Sequence, residues 1–312
     1  MTLSERSPAT HHPPPTTREG QTFAGRSLAV RYANFVKLPH TLFALPFALL
    51  GVLAASMHAP VTWRELGLVV VAFSSARWVA MGFNRISDRA IDARNPRTRM
   101  RELPQGALTL GQAWASVAVA GAIFVAVAAL LNPICFVLSP LALAWVIGYS
   151  LSKRFTSLAH LWLGLGMAIA PVGGYLAITG AWSVPWWTLV AAVIAVMTWG
   201  AGFDIFYALP DEGFDRDEGL RSLVVRLGQR RAILAAKVLH GLTIPALVLF
   251  GYAASFGLWY YSGLVVAALI LTYEHKLVRA GDLSRLDTAF FTMNGVMSVT
   301  VFVFALIDRL AS

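Results

Sequence analysis

The sequence predicts an all-α fold, a polytopic membrane bundle of nine transmembrane helices. Three observations carry that prediction. Of 312 residues, 57% are hydrophobic and only 13% charged, whereas soluble domains carry about 25% charged residues. Nine windows are long and apolar enough to span a bilayer, which takes about 20 residues. The basic residues fall on alternate connections between these windows, as the positive-inside rule requires. A net charge of +9 would suggest nucleic acid in a soluble protein. Here the cations lie between apolar runs, so they point to membrane topology and a polyanionic small ligand, with no nucleic acid partner. The one cysteine, Cys135, excludes a disulfide framework or a Cys-rich metal site, and in its apolar setting reads as packing.

Residues 1–30 form a polar tail rich in Pro, Thr and His, expected to be disordered. They lack the apolar core and cleavage site of a signal peptide. His11 and His12 belong to that tail. Residues 31–312 form the nine-helix domain, with spans near 38–58, 64–84, 111–131, 133–151, 158–178, 186–207, 232–253, 258–275 and 287–307. Pro133, the Gly180 to Pro185 segment and Gly257 punctuate the short connections on one side. Of the 25 Lys and Arg residues, 21 lie on the tail and alternate loops, and the opposite side holds only Arg64 and Arg309. This asymmetry predicts a cytoplasmic N-terminus and, with nine crossings, an external C-terminus in a plasma membrane. His40, beside Pro39 at the start of span one, reads as an interfacial cap. His58, His160, His240 and His275 show no usable pattern.

Two acidic motifs emerge on the cytoplasmic face. After span two, Asn84, Asp88 and Asp92 recur at intervals of four, one helical turn apart on one face. After span six come Asp204, Tyr207, Asp211 and Asp215, with Pro210 and Gly213 expected to break the helix and set part of this motif on a loop. The even number of spans between the motifs lets them face each other across the bundle. Carboxylates beside an amide oxygen, with no His or Cys, suit a hard divalent ion such as Mg²⁺ completed by substrate phosphate, and argue against zinc. Arg97, Arg99 and Arg101 follow the first motif, Arg221 and Arg226 the second, and Lys153 and Arg154 end span four. These are the donors a diphosphate needs, although the positive-inside rule alone accounts for many of them. Arg77 lies inside span two, seven residues before Asn84 and on nearly the same face. An intramembrane charge of this kind marks a polar cavity, and this one is placed to clamp a carboxylate. A transporter of a phosphorylated or metal species would also use acids and a basic face. Transporter sites, however, sit near the midplane at broken helices, and these acids cluster at helix ends.

The first motif, Asn84 to Asp92, resembles the NxxxDxxxD signature of the UbiA superfamily of intramembrane prenyltransferases, and Asp204 to Asp215 resembles its DxxYxxxDxxxD signature. The runs Asn95-Pro96-Arg97-Thr98, Arg101-Glu102-Leu103-Pro104-Gln105-Gly106 and Tyr149-Ser-Leu-Ser-Lys153-Arg154 also match, so the likeness covers roughly residues 30 to 310. The run from Asn84 through Thr98 is most similar to bacterial 4-hydroxybenzoate polyprenyltransferases. Gly202-Phe-Asp-Ile-Phe-Tyr-Ala and Asp215-Arg-x-Glu-Gly-Leu-Arg-Ser resemble the branch that prenylates 1,4-dihydroxy-6-naphthoate on the futalosine route to menaquinone.

The resemblance implies Mg²⁺-dependent transfer from a prenyl diphosphate to an aromatic acid in respiratory quinone synthesis. It assigns Asn84, Asp88, Asp92, Asp211 and Asp215 to Mg²⁺-bridged diphosphate binding, and Asp204 and Tyr207 to the same cavity. It places Arg101 and Lys153 on diphosphate oxygens, Tyr149 along the cavity near the reacting carbon, and Arg77 on the acceptor carboxylate. A prenyl tail implies a groove open to the bilayer. Trp145, Trp162, Trp186, Trp187 and Trp199 are candidates to line it, although aromatic residues in spans are more often packing or interfacial belt residues.

Overall fold

The computed structural model describes residues 23, 25, 27–37, 41–286 and 288–311. His11, His12, His40 and most of the tail lie outside them. Helix α1 (Leu28–Phe35) begins where the Ser27 hydroxyl accepts a hydrogen bond from the Val30 amide. Then follow α2 (Thr41–Ala55), α3 (Trp63–Ser87), the short α4 (Arg89–Arg94), α5 (Leu110–Leu131), α6 (Pro133–Ser152) and α7 (Ala159–Thr179). Helix α8 (Trp187–Ala208) tightens into one 3₁₀ turn, Leu209–Asp211, and continues as α9 (Glu212–Asp217). The chain ends through α10 (Leu223–Leu227), α11 (Gln229–Ala253), α12 (Leu258–Leu277), a π-helical segment (Thr288–Met293) and α13 (Asn294–Ala311). Among the described residues there is no β-strand beyond one isolated bridge between Arg279 and Asp282.

Local chemistry sets many of these boundaries. Thr62 with Glu65, and Thr109 with Gln112, form capping boxes that satisfy the free amides opening α3 and α5. At the tight turn between α5 and α6, the Asn132 side chain accepts from the Cys135 amide at 3.0 Å, and Pro133 fills the first helical position, where no N–H is needed. Gly180, at φ 62°, closes α7 in the left-handed conformation.

All nine predicted windows carry a helix. Seven helical stretches among the described residues have the length and hydropathy to cross a membrane: α3, α5, α6, α7, the run from α8 through α9, α11 and α13. The first and eighth windows fall short. Among the described residues α2 has 15 residues, and the last turn of α12 carries Glu274, His275 and Lys276.

Helix α8 is the central column. Of its 22 residues, 16 are buried. By contrast α6 buries only Ser139, Ser150 and Ser152. Leu130, Val137, Leu141, Leu249, Val265 and Leu269 are all exposed and form part of an apolar outer surface suited to lipid. Small residues bring the inner helices close. A Cβ on Gly51 of α2 would lie 2.1 Å from the Pro171 carbonyl oxygen of α7, and one on Gly174 of α7 would lie 2.1 Å from the Ala48 carbonyl oxygen of α2.

Candidate active site

The first acidic motif continues α3 beyond its apolar length. Asp88 stands at the junction of α3 and α4, its amide bonded to the Asn84 carbonyl, and the Asp92 amide bonds back to Asp88. The four-residue interval therefore survives the junction, and the three side chains stay on one face. The Asn84 amide donates to Asp88 Oδ2 at 3.0 Å, and the Ser87 hydroxyl donates to Asp88 Oδ1 at 3.1 Å. Arg154, at the end of α6, reaches Asp88 Oδ1 at 3.4 Å. Arg101 Nη1 contacts both Asp92 oxygens at 2.8 Å. A buried ion pair between Arg85 and Glu102, at 3.4 Å, fixes the segment that carries Arg97 and Arg101 against α3.

The second motif is not broken at Pro210 as its residues predict. Proline sits in the first positions of the 3₁₀ turn, which needs no N–H there, so the chain tightens and stays helical through Asp217. Asp211 receives Arg97 through Nε at 2.9 Å and through a second contact from Nη2, and it also accepts from the Asn95 amide at 3.2 Å. Lys153 Nζ lies 3.2 Å from Asp215. Arg94 binds Glu218 by a two-point contact at 2.7 and 2.5 Å, which ties the end of the first motif to the end of the second. The two motifs thus face each other, as the span count predicts.

Asn84, Asp88, Asp92, Asp204, Asp211 and Asp215 all line one cavity of about 440 Å³, together with Arg77, Arg101, Lys153, Tyr149 and Tyr207. The cavity is polar where the motifs meet and apolar beyond them, where Val69, Phe73, Ala128, Leu131, Cys135 and Ala177 form its wall. Arg77 lies two turns along α3 from Asn84, about 10 Å deeper at 1.5 Å per residue. Cys135, read as packing, packs beside two core clusters and also faces this cavity.

The sequence reading missed several partners. Lys37 donates to the Tyr207 hydroxyl at 3.5 Å, and the Arg97 guanidinium lies 4.6 Å from the centre of the Tyr207 ring. Asp204 faces the cavity, yet its carboxylate is held at 2.7 Å by Nδ1 of the buried His160. A histidine on α7 gives no sequence signal of a partner 44 residues away on α8. His240 and His275 also find each other, at 3.1 Å, outside this cavity.

None of the five tryptophans is in the cavity wall. Trp145 and Trp162 stack at 4.8 Å and each donates its indole N–H to the other's backbone carbonyl. Trp199 is fully buried and donates to Asn294 at 2.8 Å. Trp186 is exposed, and Trp187 stacks on Tyr252. The indole N–H groups of Trp145, Trp162 and Trp199 are used between helices, the packing alternative.

The electrostatics are those of opposed carboxylates and cations at one end of the cavity. Burial, and then the neighbouring Asp92, push the Asp88 carboxyl above its ordinary range. Burial pulls the Lys153 ammonium down, but the facing carboxylates, Asp215 first, outweigh it and hold it above its usual value. Each of Asp88, Asp92, Asp211 and Asp215 has a cationic partner. An arriving diphosphate offers those cations new oxygens, which would leave the carboxylates to a metal. Among the described residues no three acidic or imidazole side chains converge on one point. Asn84 and the four carboxylates offer oxygen donors only, the ligand type that Mg²⁺ takes.

Comparison with known proteins agrees with this geometry. The sequence model of the UbiA prenyltransferase family matches residues 44–296. A 4-hydroxybenzoate octaprenyltransferase of Vibrio campbellii is 30% identical over 240 residues, covering 77% of this chain and 83% of that protein. Another from Azotobacter vinelandii is 34% identical over 197 residues, 63% of this chain and 65% of its own length. The apo structure of a UbiA homolog from Aeropyrum pernix K1 superimposes with a TM-score of 0.78 at 33% identity, covering 86% of this chain and 98% of the other. A UbiA homolog from Archaeoglobus fulgidus, bound to GPP and Mg²⁺, shares the fold with a TM-score of 0.65 at 20% identity, covering 90% and 99%. Transport is thereby set aside as the activity. The chain belongs to the UbiA prenyltransferase family and is a multi-pass membrane prenyltransferase.

Proposed function

We propose that this enzyme transfers a polyprenyl group from a prenyl diphosphate to a ring carbon of a hydroxylated aromatic acid of the 4-hydroxybenzoate type, in respiratory quinone synthesis. The observation that carries the reading is one cavity holding both acidic motifs at one end, an arginine of α3 beneath them, and an apolar leg beyond. The curated relatives are named for the same acceptor, and the Archaeoglobus fulgidus homolog binds GPP with Mg²⁺.

In this reading Asn84, Asp88, Asp92, Asp211 and Asp215 hold Mg²⁺, which when bound neutralises charge growing on the leaving diphosphate. Arg101 and Lys153 donate to the diphosphate oxygens, stabilisation that strengthens as the allylic C–O bond breaks. Arg77 orients the acceptor carboxylate, and Tyr149 lines the wall near the reacting carbon. Asp204 and Tyr207 shape the same end of the cavity, each held by its own partner. An electron-rich ring carbon attacks the allylic carbon, and the ring proton is lost to restore aromaticity. The apolar wall keeps water from intercepting the cation. The alternation of basic loops favours a cytoplasmic position for this end of the molecule and the N-terminus, with the C-terminus outside.

The run from Gly202 to Ala208 and the Asp215 to Ser222 run favour a second acceptor, 1,4-dihydroxy-6-naphthoate. The deciding assay offers both acids in parallel to membranes containing the protein, with geranyl diphosphate and Mg²⁺, and with EDTA controls. EDTA-sensitive prenylation of 4-hydroxybenzoate is the expected result. Product from the naphthoate alone would move the enzyme to futalosine-type menaquinone synthesis, and product from neither would overturn the aromatic-acid reading.

A further inference from the structure

A glycine inside a helix costs about 1 kcal/mol relative to alanine, so one that persists needs a reason. In membrane helices the usual reason is close helix contact. Three glycines, all on α7, stand in the described cavity wall: Gly166, Gly173 and Gly174. Gly174 has that reason, since its Cβ would collide with the Ala48 carbonyl oxygen. Gly166 would meet Trp145 at 3.5 Å, an ordinary contact. A Cβ on Gly173 would meet nothing within 4 Å. Its φ is not in the left-handed region, and it lies mid-helix, so no turn demands it either.

Gly173 sits fourteen residues beyond Ala159, the start of α7, or about 21 Å along the helix axis. Cys135 lies eighteen residues from Lys153 along α6, about 27 Å away by the same measure. These distances carry the cavity through most of a hydrocarbon core about 30 Å thick. At that depth the wall is formed by Val69, Phe73, Ala128, Leu131, Cys135 and Ala177, with no charged group among them. The Ser139 hydroxyl at this depth is turned to the Phe136 carbonyl, so the leg suits hydrocarbon, and the reaction supplies one, the tail of the donor.

We propose that Gly173 is a specificity-determining residue for donor length: the side chain it omits keeps the apolar leg open to the distal isoprenoid units. This rests on the cavity being the prenyl diphosphate site, and it does not depend on which aromatic acid is prenylated. A large side chain at 173 shortens the leg without touching the acids, Arg77, Arg101 or Lys153.

The test is donor binding, read without the acceptor. Affinities for non-hydrolysable thiodiphosphate analogues of graded length, from geranyl to octaprenyl, are measured with Mg²⁺ on the full chain in detergent or nanodiscs. Wild type is compared with Gly173→Ala and Gly173→Phe. Gly173→Phe is expected to bind the geranyl analogue as wild type does and the long analogues about 10- to 100-fold more weakly, the range that overfilling an occupied space produces. Gly173→Ala is expected to melt at a higher temperature than wild type, because its methyl group meets open space and alanine favours the helix. Equal length dependence in wild type and Gly173→Phe would overturn the proposal while leaving the donor site in place. Loss of all donor affinity in Gly173→Phe with an unchanged melting temperature would also overturn it, since the leg would then serve the reacting end. A wild-type protein that binds no analogue of any length would remove both this proposal and the donor-site reading beneath it.

Discussion

At the scale of single residues, the site is a set of acid–cation pairs. Asp88, Asp92, Asp211 and Asp215 each face a cation across 3.4 Å or less. The cations left behind by loss of Asp88 or Asp211, Arg154 and Arg97, are partly open to solvent, so the cost of removing either acid falls on the chemistry more than on the fold. Asp88→Ala and Asp211→Ala are therefore each expected to lower prenyl transfer by about 100-fold or more, with the protein still monodisperse in detergent. Near-normal turnover in either variant would contradict the metal–diphosphate role of these acids. Arg77→Ala is expected to raise the acceptor KM about tenfold or more, the range for losing a charged hydrogen bond, with donor affinity unchanged. A change confined to donor affinity would place Arg77 on the diphosphate instead. The repeated acids, and Arg77 inside an apolar span, were legible in the sequence because charge is rare there and spacing alone sets the face. Which cation meets which acid was not: Arg97 with Asp211 and His160 with Asp204 span 114 and 44 residues, and no local rule reaches that far.

At the scale of elements, the apolar windows fell on helices because length and hydropathy are local properties. The Pro210 region shows where local rules mislead. Proline lacks an N–H and its ring crowds the preceding turn, but in the first positions of a 3₁₀ turn it is tolerated, so the second motif remains helical. Contacts between helices depend on small residues whose purpose appears only with the neighbour in place. Gly174→Val puts atoms where the Ala48 carbonyl oxygen lies. It is expected to cost about 1–3 kcal/mol, read as a clear drop in melting temperature. Gly173→Val, one residue away in open space, serves as the matched comparison. Equal melting temperatures for the two would refute the close α2–α7 contact.

At the scale of the whole molecule, the basic loops predict the sidedness of the bundle. In a Cys135→Ser background, Gln105→Cys is expected to react with an impermeant maleimide only when the cytoplasmic face is accessible, and Trp182→Cys only from the opposite face. Labelling of both from one side would overturn the topology. Composition, the apolar windows, the alternation of basic loops and the two four-residue acid repeats were determined by the sequence itself, because each depends on neighbours within a turn or two, or on counting. Tertiary structure alone decided that α8 is the buried column, that the five tryptophans pack between helices or face outward and stay out of the cavity, and that both acid motifs close one cavity with an apolar leg behind it. The physical reason is common to all three. Inside a bilayer every span is apolar, so hydrophobicity no longer tells core from surface, and only the shapes of small and large side chains on facing helices decide which surfaces meet and what space they leave between them.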